Sequence, residues 1–322
     1  MKFLTLRTEA FGLDISNSSL KIVKLKESGN FYKLASFGET PLEPGIIQEG
    51  EVHNQEKLTQ TIKQVVKEVS GEKIKTKYFV ASLPEEKAFL QVIQMPKIAS
   101  EDLKSAIIYE AENYIPLPIA QVYLDFQIVR PTSNNLDHFD VLIAAFPKKI
   151  IDSYILCFKR AGLMPQVLEI ESQAIARALV KGEISRQPLL LINFALNKTE
   201  LIIFSGSSIR FTSSFPINSQ QSTELAFQIK KYLDFYQTHA SHEHLPPDGK
   251  GVVEKIIICG EGENLKELPY FFSKELKIEA ELGKPWVNVL ADSKKEPPNF
   301  SLEKSLSFTT VLGLALMGMK EQ

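Results

Sequence analysis

Residues 11–25 read Phe-Gly-Leu-Asp-Ile-Ser-Asn-Ser-Ser-Leu-Lys-Ile-Val-Lys-Leu. Apolar residues flank a turn rich in Ser and Asn, and this pattern predicts a β-hairpin. Several backbone N–H groups of such a turn can point at one spot and hold a phosphate. The candidate phosphate-binding residues are Asp14, Ser16, Asn17, Ser18, Ser19 and Lys21. Taken alone, the stretch also fits an ordinary polar hairpin, because Asp, Asn and Ser are common in turns.

Asp14 stands at the end of the first predicted strand. A carboxylate in that place can hold a hydrated Mg²⁺ ion next to a phosphate, because Mg²⁺ prefers oxygen ligands and keeps several of its waters. Asp14 is therefore the candidate metal ligand.

The second half of the chain opens in the same way. Residues 189–194 and 200–204 predict two paired strands, and residues 209–213 predict a third. The turn between the first two strands reads Asn193-Phe-Ala-Leu-Asn-Lys-Thr199. Each half of the chain thus begins with a strand, a polar turn and a strand, and a length of 322 residues fits two lobes of ordinary size.

Composition limits the possible function. Lys and Arg number 37 against 39 Asp and Glu, for a net charge of -2, and a nucleic-acid-binding protein should instead show a basic excess. Cys157 and Cys259 lie far apart in apolar runs, so we expect them to be reduced and buried. Charge interrupts residues 1–7 before an apolar signal sequence could form. The apolar run 306–319 is shorter than the roughly 20 residues that span a bilayer, so it predicts a buried helix and no direct membrane insertion.

A change of rhythm marks residues 85–162, where the pattern predicts the order β-α-β-β-α. We expect Ser100 to cap a helix whose buried face carries Leu103, Ile107, Ala111 and Tyr114. A second helix should run from Lys148 to Ala161 and end at Gly162. Together these elements could close a small core of their own. Before this block, Asn54 is the predicted N-cap of a further helix.

The order of several motifs resembles one family. Met95-Pro96 is followed by Glu110-Ala-Glu-Asn-Tyr-Ile-Pro-Leu-Pro118 and by Tyr123-Leu-Asp-Phe-Gln127. With the two opening hairpins, this order resembles the PilM family of type IV pilus assembly proteins, which belongs to the actin-like superfamily and is related to FtsA. Taken alone, residues 100–118 also fit a capped amphipathic helix without a function.

The resemblance implies an α/β fold of the two-lobe, actin-like (RNase-H-like) kind. It also implies an inserted small α+β subdomain, called 1C or SHS2-like. Subdomain 2B is expected to be shortened relative to the family, because few residues separate Arg210 from Phe235. We expect residues 9–84 to form the first part of subdomain 1A, 85–162 the inserted subdomain, 163–188 the return to 1A, 189–304 the second lobe and 305–322 the closing helix.

The resemblance also implies a partner. In the family, the N-terminal cytoplasmic peptide of the inner-membrane protein PilN lies extended in a groove between subdomains 1A and 1C. We expect the residues at the end of the predicted helix to line this groove, namely Glu110, Tyr114, Ile115 and Pro116. The protein is then expected in the cytoplasm, held at the inner membrane through its partner.

The chain departs from the family pattern at the nucleotide site. Ser16 and Ala195 replace glycines that let the backbone approach phosphate, and Asn193 replaces an Asp. The adenosine-side turn, usually Ser-Gly-Gly-Gly, reads Cys259-Gly-Glu-Gly262 and brings a negative charge to an anion site. ATP and Mg²⁺ could bind only weakly, and the second-lobe candidates for that contact are Asn193, Thr199, Gly260 and Gly262. We predict no catalytic residue and no appreciable hydrolysis.

Two alternatives remain open. An active ATPase or sugar-kinase-like enzyme of the same superfamily needs an intact acidic second loop, and here Asn193 stands in place of the acidic residue. An FtsA-like, filament-forming membrane tether should carry a basic amphipathic helix after the last core helix, whereas this sequence ends soon after Met319.

Overall fold

The computed structural model describes residues 9–129, 137–239, 251–290, 297 and 300–320, apart from the side chain of Ser100. The strands found there are β1 (Phe11–Ile15), β2 (Ser19–Ser28), β3 (Phe31–Pro41), β4 (Ile47–Gln48), β5 (Glu51–Val52), β6 (Ser70–Gly71), β7 (Tyr78–Leu83), β8 (Phe89–Pro96), β9 (Val122–Val129), β10 (His138–Pro147), β11 (Met164–Ile170), β12 (Ser185–Phe194), β13 (Thr199–Gly206), β14 (Ser208–Phe215), β15 (Lys255–Gly260) and β16 (Glu279–Leu282). The helices are α1 (Gln55–Lys67), α2 (Ser100–Ala111), α3 (Lys148–Arg160), α4 (Glu171–Leu179), α5 (Ser222–His239), α6 (Leu268–Leu276), α7 (Leu302–Ser307) and α8 (Thr309–Met319).

These elements form two compact units. The first contains the described parts of 1–86, 149–178 and 285–322, and the second contains those of 87–148 and 179–284. A six-stranded sheet of order β11-β7-β1-β2-β3-β6 lies in the first unit. The second unit holds a five-stranded sheet, β14-β13-β12-β15-β16, and a three-stranded sheet, β8-β10-β9.

The two larger sheets share one plan. In each, three consecutive strands pair antiparallel, and the first of them then pairs in parallel with a later strand. A second parallel strand extends the same edge, β11 in one sheet and β16 in the other. The repeated strand-turn-strand opening predicted for each half of the chain is therefore confirmed.

Helices α1 and α3 pack on the first sheet. Asn54 is the N-cap of α1, as predicted, and its side chain accepts a hydrogen bond from the backbone N–H of Lys57. Tyr154 and Phe158 of α3 join the same hydrophobic cluster as Phe79. We expected α3 to close the core of the inserted block, and this expectation is wrong, because its apolar face packs on the larger sheet. The division of the chain into five segments stays a prediction.

Helix α8 packs on the same sheet, on strands β1, β2 and β7, as expected for a buried closing helix. Two glycines allow the close approach. A Cβ at Gly12 would lie 2.6 Å from the backbone N of Ala315, and one at Gly313 would overlap the carbonyl oxygen of Ala174. Within the described residues, no helix is both long and apolar enough to cross a membrane. Cys157 and Cys259 are both buried, as predicted, and neither forms a disulfide with a described cysteine.

The three-stranded sheet has a hydrophobic cluster with α2, in which Leu103 and Ile107 pack against Ile93 and Ile143. Two details of α2 differ from the prediction. Its N-cap is Ala99, without a side-chain hydrogen bond, and Ser100 is its first residue.

The buried face of α2 also differs at its end. Ile115 is 7% exposed, whereas Tyr114 is 39% exposed. The four-residue spacing of the buried positions continues from Ala111 to Ile115, whose N–H donates to the carbonyl of Ala111. Tyr114 therefore lies beyond the helix and faces outward.

Candidate functional site

The first polar turn joins β1 to β2, and the side chain of Ser16, a residue of this turn, lies inside it. Ser16 Oγ accepts hydrogen bonds from the backbone N–H groups of Ser18, at 3.3 Å, and Ser19, at 3.0 Å. The Ser16 hydroxyl also lies 3.1 Å from the carbonyl oxygen of Ser19. Two N–H groups of this turn are thus bonded to a serine oxygen of the same turn. Asn17, at the tip, is exposed.

The charged candidates of the first unit are buried beside the turn. Asp14 Oδ1 accepts a hydrogen bond from Ser82 Oγ at 2.7 Å, and Ser82 Oγ accepts one from the backbone N–H of Ile15 at 3.2 Å. Lys21 lies opposite Asp14 in the ladder, and its Nζ is 3.8 Å from the carboxylate of Glu39. In the described part of the chain, no group of three or more His, Cys, Asp or Glu side chains could hold a metal ion. Asp14 as a metal ligand stays a prediction.

In the second unit, Asn193 lies at the end of β12 and is held by its neighbours. Its Nδ2 donates to Glu200 Oε2 at 2.9 Å, and Cys259 Sγ lies 3.5 Å from its Oδ1. Glu200 is only 2% exposed, and Lys198 Nζ lies 2.6 Å from its other carboxylate oxygen. Sequence reasoning missed Glu200, although a lone carboxylate in an apolar strand was the available signal.

Thr199, the last candidate of the second turn, is fully buried. Its Oγ1 donates to the carbonyl of Ile217 at 2.6 Å, so the hydroxyl is committed to the chain. The turn itself is closed by a hydrogen bond from the N–H of Ala195 to the carbonyl of Lys198 at 2.9 Å.

The glycines of the adenosine-side turn serve the packing of the chain. Gly260 has φ +97°, and a Cβ there would overlap the carbonyl oxygen of Phe194. A Cβ at Gly262 would overlap Ser219 Oγ. The N–H of Glu261 donates to the same Phe194 carbonyl at 2.6 Å. Gly260 thus lets β15 end close to β12, and Gly262 lets the following turn pass close to Ser219.

Among the phosphate candidates, Asp14, Ser16, Asn193 and Thr199 have hydrogen-bond partners within their own unit. In this arrangement a phosphate at the first turn would have to displace Ser16 Oγ. In the second unit, the charge of Glu261 would oppose an anion at the adenosine-side turn, whereas the carboxylate of Glu200 is already paired with Lys198. We therefore expect weak nucleotide binding at most, and this expectation stays a prediction.

The predicted partner residues lie at the end of α2. Tyr114 and Pro116 are exposed, and Glu110 is half-buried. Ile115 is buried in the cluster under α2, so it supports the segment from below. Tyr109, which the sequence did not single out, is also exposed near this end of the helix.

Strand β9 follows this segment and lies at the edge of its sheet, because β10 is the only described strand that pairs with it. Lys148 Nζ donates to the carbonyl of Ala120 at 2.8 Å and lies 5.6 Å from the ring centre of exposed Tyr123. Asp125 Oδ1 accepts a hydrogen bond from the N–H of Phe126 at 2.9 Å. A charged side chain on an edge strand limits unspecific pairing, so an added strand would have to compete with Asp125.

Comparison with known proteins places this geometry in context. The family described as Type IV pilus assembly protein PilM matches residues 12–212. The structure of a PilM-PilN type IV pilus biogenesis complex matches with a TM-score of 0.80 at 25% identity, over 98% of this chain and 100% of that chain. The ethanolamine utilization protein EutJ from Carboxydothermus hydrogenoformans matches with a TM-score of 0.50 at 12% identity, over 95% and 89%. The predicted α/β, actin-like fold class is confirmed.

Proposed function

The chain belongs to the type IV pilus assembly protein PilM family, and on that premise we propose that it is a scaffold for a PilN-like inner-membrane protein. The coarse part of this function, a role in type IV pilus assembly with a PilN partner, is supported by the match to a PilM-PilN complex over nearly the whole chain. The finer part is that the scaffold binds the N-terminal cytoplasmic peptide of that partner. The protein then works in the cytoplasm and is held at the inner membrane through the peptide.

The surface around the end of α2 supports peptide binding. Exposed Tyr114 and Pro116 offer apolar contact, and β9, at the edge of its sheet, lies next in the chain. An extended peptide can add to such an edge through main-chain hydrogen bonds, while side-chain pockets select its sequence. Glu110 supplies a negative charge next to the tyrosine.

The filled first turn is the observation that favours a scaffold function over ATPase activity. Ser16 Oγ occupies the N–H groups of Ser18 and Ser19, and Asn193 is bonded to Glu200 in the second unit. We infer that Mg-ATP binds weakly or not at all and that hydrolysis is negligible. Loss of one charge-assisted contact costs about 1.5–3 kcal/mol, or roughly ten- to a hundredfold in affinity.

Calorimetry tests the partner. The full chain is titrated with a synthetic peptide of the N-terminal cytoplasmic segment of the PilN-like protein from the same organism. We expect binding at tens of micromolar or tighter, and Tyr114→Ala should weaken it by about 1–2 kcal/mol because aromatic anchors dominate such interfaces. Tyr270→Ala is the matched control, since Tyr270 is an equally large exposed side chain on α6.

Two outcomes would contradict the proposal. If the wild-type chain ignores the peptide at tens of micromolar, the scaffold function is wrong. If Mg-ATP binds at low micromolar concentration and is hydrolysed, the ATPase alternative is correct. Melting temperatures of both tyrosine variants separate lost binding from lost folding.

A further inference from the structure

A buried ion pair joins the two sheets of the second unit. Arg210 Nη1, on β14 of the five-stranded sheet, donates to Asp140 Oδ2, on β10 of the three-stranded sheet, at 2.6 Å. The two side chains are 5% and 6% exposed. Strand β8 also lies against β14, so the pair stands where the two sheets meet.

A β-bulge aims Arg210 at this partner. In the ladder of β13 with β14, Ile203 pairs with Phe211 and Phe204 pairs with Ile209. Arg210 is therefore the extra residue of the bulged strand. Bulges redirect one side chain at a local cost in pairing, and they are built features of a fold.

The pair is incompletely bonded. Nε and Nη2 of Arg210 and Oδ1 of Asp140 have no hydrogen-bond partner among the described residues. His138 Nε2 is 3.6 Å from Asp140 Oδ1, beyond hydrogen-bond distance. Burial lowers the pKa of Arg210, although Asp140 opposes that shift. A buried pair with unfilled donors contributes little net stability, but removing one partner leaves a buried charge alone.

Strand β14 connects this ion pair to the second polar turn. It pairs with β13 along its length, and the first residue of β13 is Thr199. The Thr199 hydroxyl donates to the carbonyl of Ile217, just after β14 ends. Tyr232 of α5 fastens the two strands, since its hydroxyl lies 3.1 Å from the carbonyl oxygen of Leu201 and 2.9 Å from that of Phe211.

We infer that the Asp140–Arg210 pair couples the three-stranded sheet, which carries the proposed peptide site, to the five-stranded sheet, which carries the second polar turn. A peptide bound to the three-stranded sheet then changes the five-stranded sheet. The inference rests on the proposed function for the identity of the peptide. The coupling itself is a property of the chain alone. It links the site of partner binding to Thr199 within one unit.

Hydrogen exchange followed by mass spectrometry tests the coupling without a peptide. In Arg210→Met and in the milder Asp140→Asn, exchange should rise about tenfold or more in both β10 and β14, because each strand loses the same anchor. The double variant Asp140→Leu/Arg210→Met should exchange more slowly than either single variant, since an apolar pair removes the lone buried charge. Arg160→Met, an exposed arginine on α3, is the control and should change neither strand. Faster exchange confined to the strand that carries the substitution would overturn the inference.

The second test of the coupling uses the N-terminal peptide of the PilN-like protein described above. Peptide binding to the wild type should slow exchange in residues 199–215 at least about threefold. Arg210→Met should keep its affinity within about threefold but lose this response. If the wild type binds the peptide and residues 199–215 do not respond, the coupling is wrong and the scaffold function stands. If the wild type does not bind the peptide, the proposed function fails, and the peptide-free arm still decides the coupling.

Discussion

Replacement of Ser16 by Gly should open the first polar turn to phosphate. The substitution removes the oxygen that accepts from the N–H groups of Ser18 and Ser19. A phosphate entering the wild-type turn must break these two bonds, each contributing about 0.5–1.5 kcal/mol. Ser16→Gly removes that cost of about 1–3 kcal/mol, so Mg-ATP affinity should rise roughly five- to a hundredfold.

The assay is a titration of the purified full chain with Mg-ATP, followed by calorimetry or by competition against a fluorescent nucleotide. Ser18→Gly is the matched control, because it loosens the same turn, while the Ser18 hydroxyl lies 3.3 Å from Ser16 Oγ and does not cap the turn's N–H groups. An equal gain in both variants would show that flexibility alone matters, and no gain in Ser16→Gly would refute the reasoning.

Three further substitutions test the packing and the buried charges. Arg177→Met should lower the free energy of unfolding by about 3–5 kcal/mol in urea, because Arg177 binds both carboxylate oxygens of buried Glu169. Gly313→Ala should lower it by about 1–3 kcal/mol or more, since the added methyl overlaps the carbonyl of Ala174. Burial raises the pKa of Tyr236 from 10.0 to about 12, so the folded state holds this proton more tightly than the unfolded state. This pKa difference contributes about 2–3 kcal/mol to the free energy of unfolding. The contribution is complete below pH 10 and is lost as the pH rises toward 12. Tyr236→Phe should remove this part of the pH dependence.

Local patterns in the sequence predict much of this fold. The hairpin β1–β2, the Asn54 cap and the strands of the three-stranded sheet follow from turn chemistry, capping and apolar runs, all of which act over a few residues. The exposed position of Tyr114 was not predicted, because a helical pattern does not show where the helix ends. Counting onward in fours from Ala111 would have placed Ile115 in the core.

The rest depends on contacts between distant residues. The glycine that Ser16 replaces signals a change at the turn, but no pattern shows that Ser16 Oγ folds back onto its own N–H groups. Glu200 lies seven residues from Asn193, and only the register of β12 with β13 brings the two together. The packing of α3 on the six-stranded sheet required knowledge of the tertiary fold, since its apolar stripe suits either sheet.

The seat of α8 against Gly12 and Gly313 affects the order of folding during synthesis. Strand β1 of the six-stranded sheet stays uncovered on the side that α8 packs against until Thr309–Met319 has left the ribosome. All described residues of the second unit precede Pro285, so that unit can complete its two sheets earlier. Protease treatment of ribosome-bound chains in which Pro285 has left the exit tunnel but Thr309 has not should therefore leave the second unit intact and cut within the first. Resistance of both units at that length would contradict this order of folding.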